Sequence, residues 1–292
     1  MTKAKITELR QNAILVELNF RNGVGFTITD KPESEEVEKK HETKKAGRYV
    51  KFLFRREHLQ KIFDAENIAK AVHARYTVAW LNSGLRVLPA PLIESYDQGV
   101  ERAQVAYKEG VDWLIQNWDE IMEDNKIRLK AMFNPNDYPA KESVTDGFRL
   151  FVSTFPVPDK NDFQVDASDA VNKKLRDQFV SNVKEYEMNA QSDVAKRLGN
   201  SLGSMLEKLG SADKKIQDRT LLKMSELLID LKALNITGNK IISDAIESAE
   251  KSFSKEVADV LNENTEYRAK KKAEATAIVD KLKKGFPRAI EF

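Results

Sequence analysis

From residue 168 to the end of the chain, apolar positions recur three or four apart with little interruption. Val171, Leu175, Phe179, Val183, Tyr186, Ala190, Val194, Leu198, Leu202, Met205 and Leu209 form one stripe. That spacing predicts a helix of about 40 residues, some 60 Å long, with Asp166 or Ser168 as its N-cap. Gly199 and Gly203 interrupt the stripe either as a close-packing point or as a break. Three more helices are expected after it: Ile216 to Leu234, then Ile241 to Leu261 beyond the breaker NITGN, then Tyr267 to Leu282. Their heptad spacing is mixed, so an antiparallel bundle or helical hairpin fits better than a long coiled coil.

The first half of the chain reads differently. Residues 13–29 have the form of a β-hairpin, with Ile14, Val16, Leu18 and Phe20 at period two and a turn at Asn22-Gly23. The segment 30–47 is rich in Lys and Glu and is expected to be a surface loop. Residues 48–54 predict a third strand of the same small sheet, and a helix follows from about Arg56 to Asn82. Beyond Pro89 and Pro91, a second amphipathic run carries Tyr96, Val100, Ala103, Tyr107, Val111, Leu114, Trp118 and Ile121. It predicts another helix of about 40 residues, reaching to Phe133 if unbroken. Phe148 to Phe155 alternates as a strand that Pro156 and Pro158 end. The fold class is therefore α+β, mostly α, with a small N-terminal antiparallel sheet followed by a long-helix bundle. Two domains are expected, 1–166 with an aromatic and proline-rich core, and 167–292.

Composition narrows the classes. The chain of 292 residues has no cysteine, which removes disulfides, thiolate metal sites and thiol nucleophiles. No run approaches the roughly 18 apolar residues of a membrane span. The first residues lack a small-residue cleavage site, so the cytoplasm is expected. Net charge is only +2, but residues 74–167 hold 10 basic against 15 acidic side chains, and both flanks are mildly basic.

Candidate chemistry is sparse. The chain has no phosphate-cradling Gly-rich loop with its lysine, and Gly23-Val24-Gly25 lacks a third glycine and a following helix. The three histidines, His41, His58 and His73, are too far apart to suggest a metal site. Asp119, Glu120, Glu123 and Asp124 read as the solvated face of a helix. No catalytic set, cofactor site or metal site can be nominated. Basic residues beside aromatics occur at Arg48, Tyr49, Lys51, Arg55 and Arg56, and at Lys270, Lys271 and Lys272. They are the candidate contacts for nucleic acid, in particular single-stranded DNA.

The succession Trp80, Gly84, Arg86, Leu88-Pro89 and Tyr96, then FNPNDYP (133–139) and FPVPDKNDFQV (155–165), resembles an uncharacterised phage and prophage family. The likeness covers roughly residues 10 to 210. Its members look to be encoded beside a MoxR-type AAA+ ATPase and a von Willebrand factor A protein. The resemblance implies a non-enzymatic partner or adaptor of an ATP-driven remodelling system, and it brings no catalytic residues with it. A self-assembling component is the other form of this reading, and a nucleic-acid-binding protein of phage replication or recombination is the alternative. The long stripe needs cover from later helices or from another subunit. Leu198, Leu202 and Met205, beside the two glycines, are the candidate contacts of a homo-oligomer.

Overall fold

A computed structural model describes residues 9–22, 26–80, 84–159, 162, 168–211, 213–254 and 256–290. The fold is α+β and mostly helical. The chain forms two compact units, each made of discontinuous segments. One comprises Met1–Glu17, Ala74–Tyr96 and Thr154–Phe292, and the other Leu18–His73 and Asp97–Ser153.

The first unit is built on α6 (Asp169–Gly210), a helix of 42 residues capped by Ser168, whose hydroxyl accepts from Val171 N–H. Asp166, the other proposed cap, lies outside the described residues. From Phe179 to Leu209 every residue of the expected stripe is buried, whereas Val171 at its start is exposed. Cover comes from α7 (Asp218–Leu234), α8 (Lys240–Phe253) and α10 (Thr265–Gly285). Strand β4 (Val78–Ala79) packs on the same helix, where the Trp80 ring meets that of Tyr186 at 4.4 Å between centroids. The predicted helix from Ile241 to Leu261 is in fact two, because α8 ends at Phe253 and a short α9 (Ala258–Glu263) restarts the chain. Side chains cap the turns: Asn239 accepts from Ile242 N–H and Asn264 from Tyr267 N–H. Gly238 closes the α7–α8 link at φ +61°, a left-handed conformation that suits glycine.

Strand β1 (Ala13–Asn22) pairs antiparallel with β5 (Arg86–Pro89), and with β6 (Phe148–Pro156) the strand order is β4-β5-β1-β6. This corrects the expected hairpin. Strand β2 (Thr27–Asp30) pairs instead with β3 (Tyr49–Phe52) in a separate two-stranded ribbon. The physical reason is burial: Ala13, Leu15 and Val16 are all covered, so the start of β1 needs an apolar neighbour, and Val87 and Leu88 supply it. Gly23 of the proposed turn lies outside the described residues, as do Asn82 and Ser83 of the expected helix stop.

In the second unit the charged segment is not a loop throughout, since α1 (Lys31–Lys40) occupies most of it. This helix buries nothing and owes its form to its ends. Asp30 accepts from Glu33 N–H, Pro32 lies in the first turn, and Lys39 and Lys40 face the negative end of the helix dipole. Helix α2 (Gln60–Tyr76) precedes the second amphipathic run, which is broken: α3 (Ile93–Gln116) and α4 (Trp118–Leu129) meet at Asn117, whose side-chain amide donates to the Trp113 carbonyl. All eight residues named for that run are buried nonetheless. A short α5 (Val144–Gly147) leads into the expected last strand, β6. Trp80 and Trp118 are buried, while Trp113 is half-buried with the Lys61 ammonium 5.1 Å from its ring.

Two substitutions probe this packing. A Cβ at Gly110 would lie 3.0 Å from Ile62 N and 3.1 Å from Lys61 C, both backbone atoms of α2. Gly110→Ala should therefore destabilise by about 1–3 kcal/mol, against the gain of roughly 1 kcal/mol that alanine brings to an open helix. Urea denaturation reads the sign. Tyr186 is buried and its hydroxyl has no hydrogen-bond partner among the described residues. Burial pushes its pKa far above the usual phenol range. Tyr186→Phe should stabilise by about 1 kcal/mol, raising Tm by some 2–4 °C, because an unsatisfied buried hydroxyl is removed.

Candidate interaction site

A cleft of about 750 Å³ belongs to the first unit and runs between the C-terminal part of α6 and α7. Helical spacing builds its walls. Ser201, Ser204, Met205 and Lys208 share one face of α6, and Arg219, Thr220, Lys223, Met224, Glu226, Leu227 and Asp230 share one face of α7. Gln217 closes one end and Arg75 contributes a guanidinium. Met205 and Met224 are buried and form the floor with Leu227.

The polar groups divide into two sets. Arg75 is engaged: its Nε lies 2.7 Å from the Asp230 carboxylate and a terminal nitrogen 3.4 Å from Glu226. Burial lifts the Asp230 carboxyl above the ordinary carboxylate range, while the hydrogen bond and charge of Arg75 pull it down. Lys208, Arg219 and Lys223 make no salt bridge among the described residues. Lys208 Nζ donates to Thr220 Oγ1 at 3.0 Å, and Ser201 Oγ lies 3.3 Å from Met224 Sδ. The cleft thus offers an adaptable apolar floor and a rim carrying three cations that make no salt bridge among the described residues. On the next face of α7, Leu222 and Ile229 are 58% and 63% exposed.

The residues proposed from sequence lie as follows. Leu198, Leu202 and Met205 are covered by the chain itself, at 0%, 0% and 1% exposure. The close approach expected beside the glycines is made by the chain's own Ile290, whose Cδ1 would sit 3.1 Å from a Cβ on Gly199. Met205 also lines the cleft.

Of the nucleic-acid candidates, Lys51 is buried, paired with Asp137 at 2.6 Å and Asp30 at 3.5 Å, and donates to Met132 O. Lys271 is buried too, paired with Glu256 and Glu274 and donating to Ser252 O. Burial works against the charge of both lysines, but their acidic partners outweigh it and hold both pKa values above the usual lysine value. Arg55 pairs with Asp124 and Glu57. Arg48, Tyr49, Arg56, Lys270 and Lys272 are exposed. The first five candidates fall in one unit and the three lysines of α10 in the other.

Sequence reasoning did not find Arg75, Lys208, Arg219 or Lys223. The signal available was the pair Arg219 and Lys223, four apart on a helix with no acid at i±4 from Lys223 on that face.

Among the described residues no group of three His, Cys, Asp or Glu side chains could hold a metal ion, and no helix is long and apolar enough to cross a membrane. Comparison with family models, with curated proteins and with solved structures finds no match.

Arg75→Ala should destabilise the protein by about 1–3 kcal/mol by leaving the Asp230 carboxylate buried without its partner. The loss should be largest near neutral pH, where Asp230 is ionised, and shrink on acidification as the carboxyl takes up a proton. Thermal melts of both proteins across that range check it.

Proposed function

We propose that the protein is a non-enzymatic interaction protein, acting as a partner or adaptor of an ATP-driven remodelling system of phage type, with a AAA+ ATPase and a von Willebrand factor A protein as its partners. The observation that carries the interaction reading is the open α6–α7 cleft, whose methionine and leucine floor and net positive rim are suited to a protein segment. The phage setting and the named partners rest on the resemblance of the Trp80 to Tyr96, FNPNDYP and PVP blocks alone.

Single-stranded DNA is the less favoured ligand, because Lys51, Lys271 and Arg55 are engaged by the chain's own acids. A nucleic-acid groove keeps its cations free for phosphates and adds aromatic platforms.

Affinity capture of the tagged full-length chain from cells that encode it, with and without ATP, tests the reading. The expected result is recovery of a AAA+ ATPase that survives nuclease treatment. Recovery of nuclease-sensitive material alone would sink it.

A further inference from the structure

We infer that the α6–α7 cleft takes an acidic amphipathic helical segment of a protein partner. This rests on the interaction reading and adds the chemistry of the partner. Charge complementarity carries the argument. Lys208, Arg219 and Lys223 ring the cleft without a salt bridge among the described residues, whereas its two acids, Glu226 and Asp230, are both held by Arg75. Arg75 offsets one of the two carboxylate charges, and with four cations against two acids the lining keeps a net positive charge that an occupant can neutralise.

The floor sets the rest of the chemistry. Met205, Met224 and Leu227 are apolar, and the methionine thioethers adapt to irregular side chains, as surfaces that receive amphipathic helices do. The α7 lining runs from Arg219 to Asp230, roughly 17 Å of helix, which matches three turns of a partner. Such a segment would set apolar anchors at i, i+3 or i+4 and i+7 on the floor, with Glu or Asp on either side reaching the rim. Leu222 and Ile229, one face further round α7, extend the apolar contact beyond the rim. Nucleic acid fits less well, since the lining contains no aromatic ring on which a base could stack.

The test uses the full chain and a fluorescein-labelled synthetic peptide of about 18 residues, with Leu at i, i+3, i+4 and i+7 and Glu elsewhere. Its controls are a permuted peptide of the same composition and a single-stranded oligothymidine. By fluorescence anisotropy at low salt, the amphipathic peptide should bind at least about tenfold more tightly than the permuted one. The charge reversal Arg219→Glu with Lys223→Glu should weaken it at least about tenfold, and Lys223→Ala by less. Arg219 and Lys223 are exposed, so both variants should keep the parent's circular dichroism.

Equal binding of the two peptides, no binding of either, or tighter binding of oligothymidine would each overturn the inference. So would a concentration-dependent dimer abolished by the double reversal, which would assign the cleft to a second copy. Failure here is separable from failure of the interaction reading. If cellular capture of a protein partner persists undiminished in the double variant, that reading stands and only the cleft is wrong. If no protein is captured at all, both fail.

Discussion

The first unit depends on covering one side of a single long helix. At 42 residues α6 extends about 63 Å, and its stripe from Phe179 to Leu209 is buried throughout. Each large apolar side chain on it contributes roughly 1.5–3 kcal/mol when removed from water, so an uncovered stripe would be the largest liability in the chain. Three later helices, β4 and Ile290 supply the cover. The helix end is treated with similar care. The Arg268 guanidinium of α10 donates to the carbonyls of Lys208, Leu209, Ser211 and Lys214, which gathers the orphan acceptors at the negative end of α6 around one cation.

The second unit is held by a different device, a polar staple over an aromatic cluster. Phe54 packs edge-on to Phe26 and Tyr138 and lies beside Trp118. Around it, Tyr138 OH donates to Leu53 O, Arg128 donates to Phe52 O and Leu53 O, and Lys51 joins Asp30 to Asp137. The FNPNDYP block is therefore a fastening for the β2–β3 ribbon. The earlier block is structural as well: Trp80 N–H donates to Leu85 O, and Arg86 donates to the Thr77 hydroxyl and carbonyl. Residues that make a sequence recognisable can thus be the ones that hold its corners, and they then say little about chemistry.

Periodicity made the helices legible, because a stripe at 3.6 residues per turn records which face is covered. All eight apolar residues named for the second amphipathic run are buried as that pattern requires, yet the break at Asn117 left no mark on it. The reason is that the backbone bonds continue across the break: Asn117 N–H donates to Trp113 O and Ile121 N–H to Asn117 O, so both helices present the same face. Strand partners were less legible. Pairing of β1 with β5 joins residues about 70 apart in sequence, and alternation within one strand carries no information about its neighbour. Helix α1 was hidden because it has no buried face, and only its caps announce it.

The candidate site was the least legible part, and the lysines show why. Lys51 and Lys271 stand in basic runs beside aromatics, which is the pattern of an anion-binding surface, while Lys208 and Lys223 stand in ordinary amphipathic helices. The fold reverses that ranking. Asp137 and Asp30 reach Lys51 from elsewhere in the second unit, and Lys271 is met by Glu256 from outside its helix as well as by Glu274 one turn on, so tertiary structure delivers at least one acid to each cation. Around Lys208 and Lys223 the nearby acids Glu226 and Asp230 are drawn off by Arg75, which the sequence places some 150 residues earlier. A cation is available to a partner when no acid faces it, and which acid faces it is decided by tertiary contacts rather than by the neighbouring residues. Positive charge without a salt bridge among the described residues therefore collects over an apolar floor in the α6–α7 cleft, away from the basic runs, and that coincidence of charge and apolar surface underlies the proposal of a protein segment there.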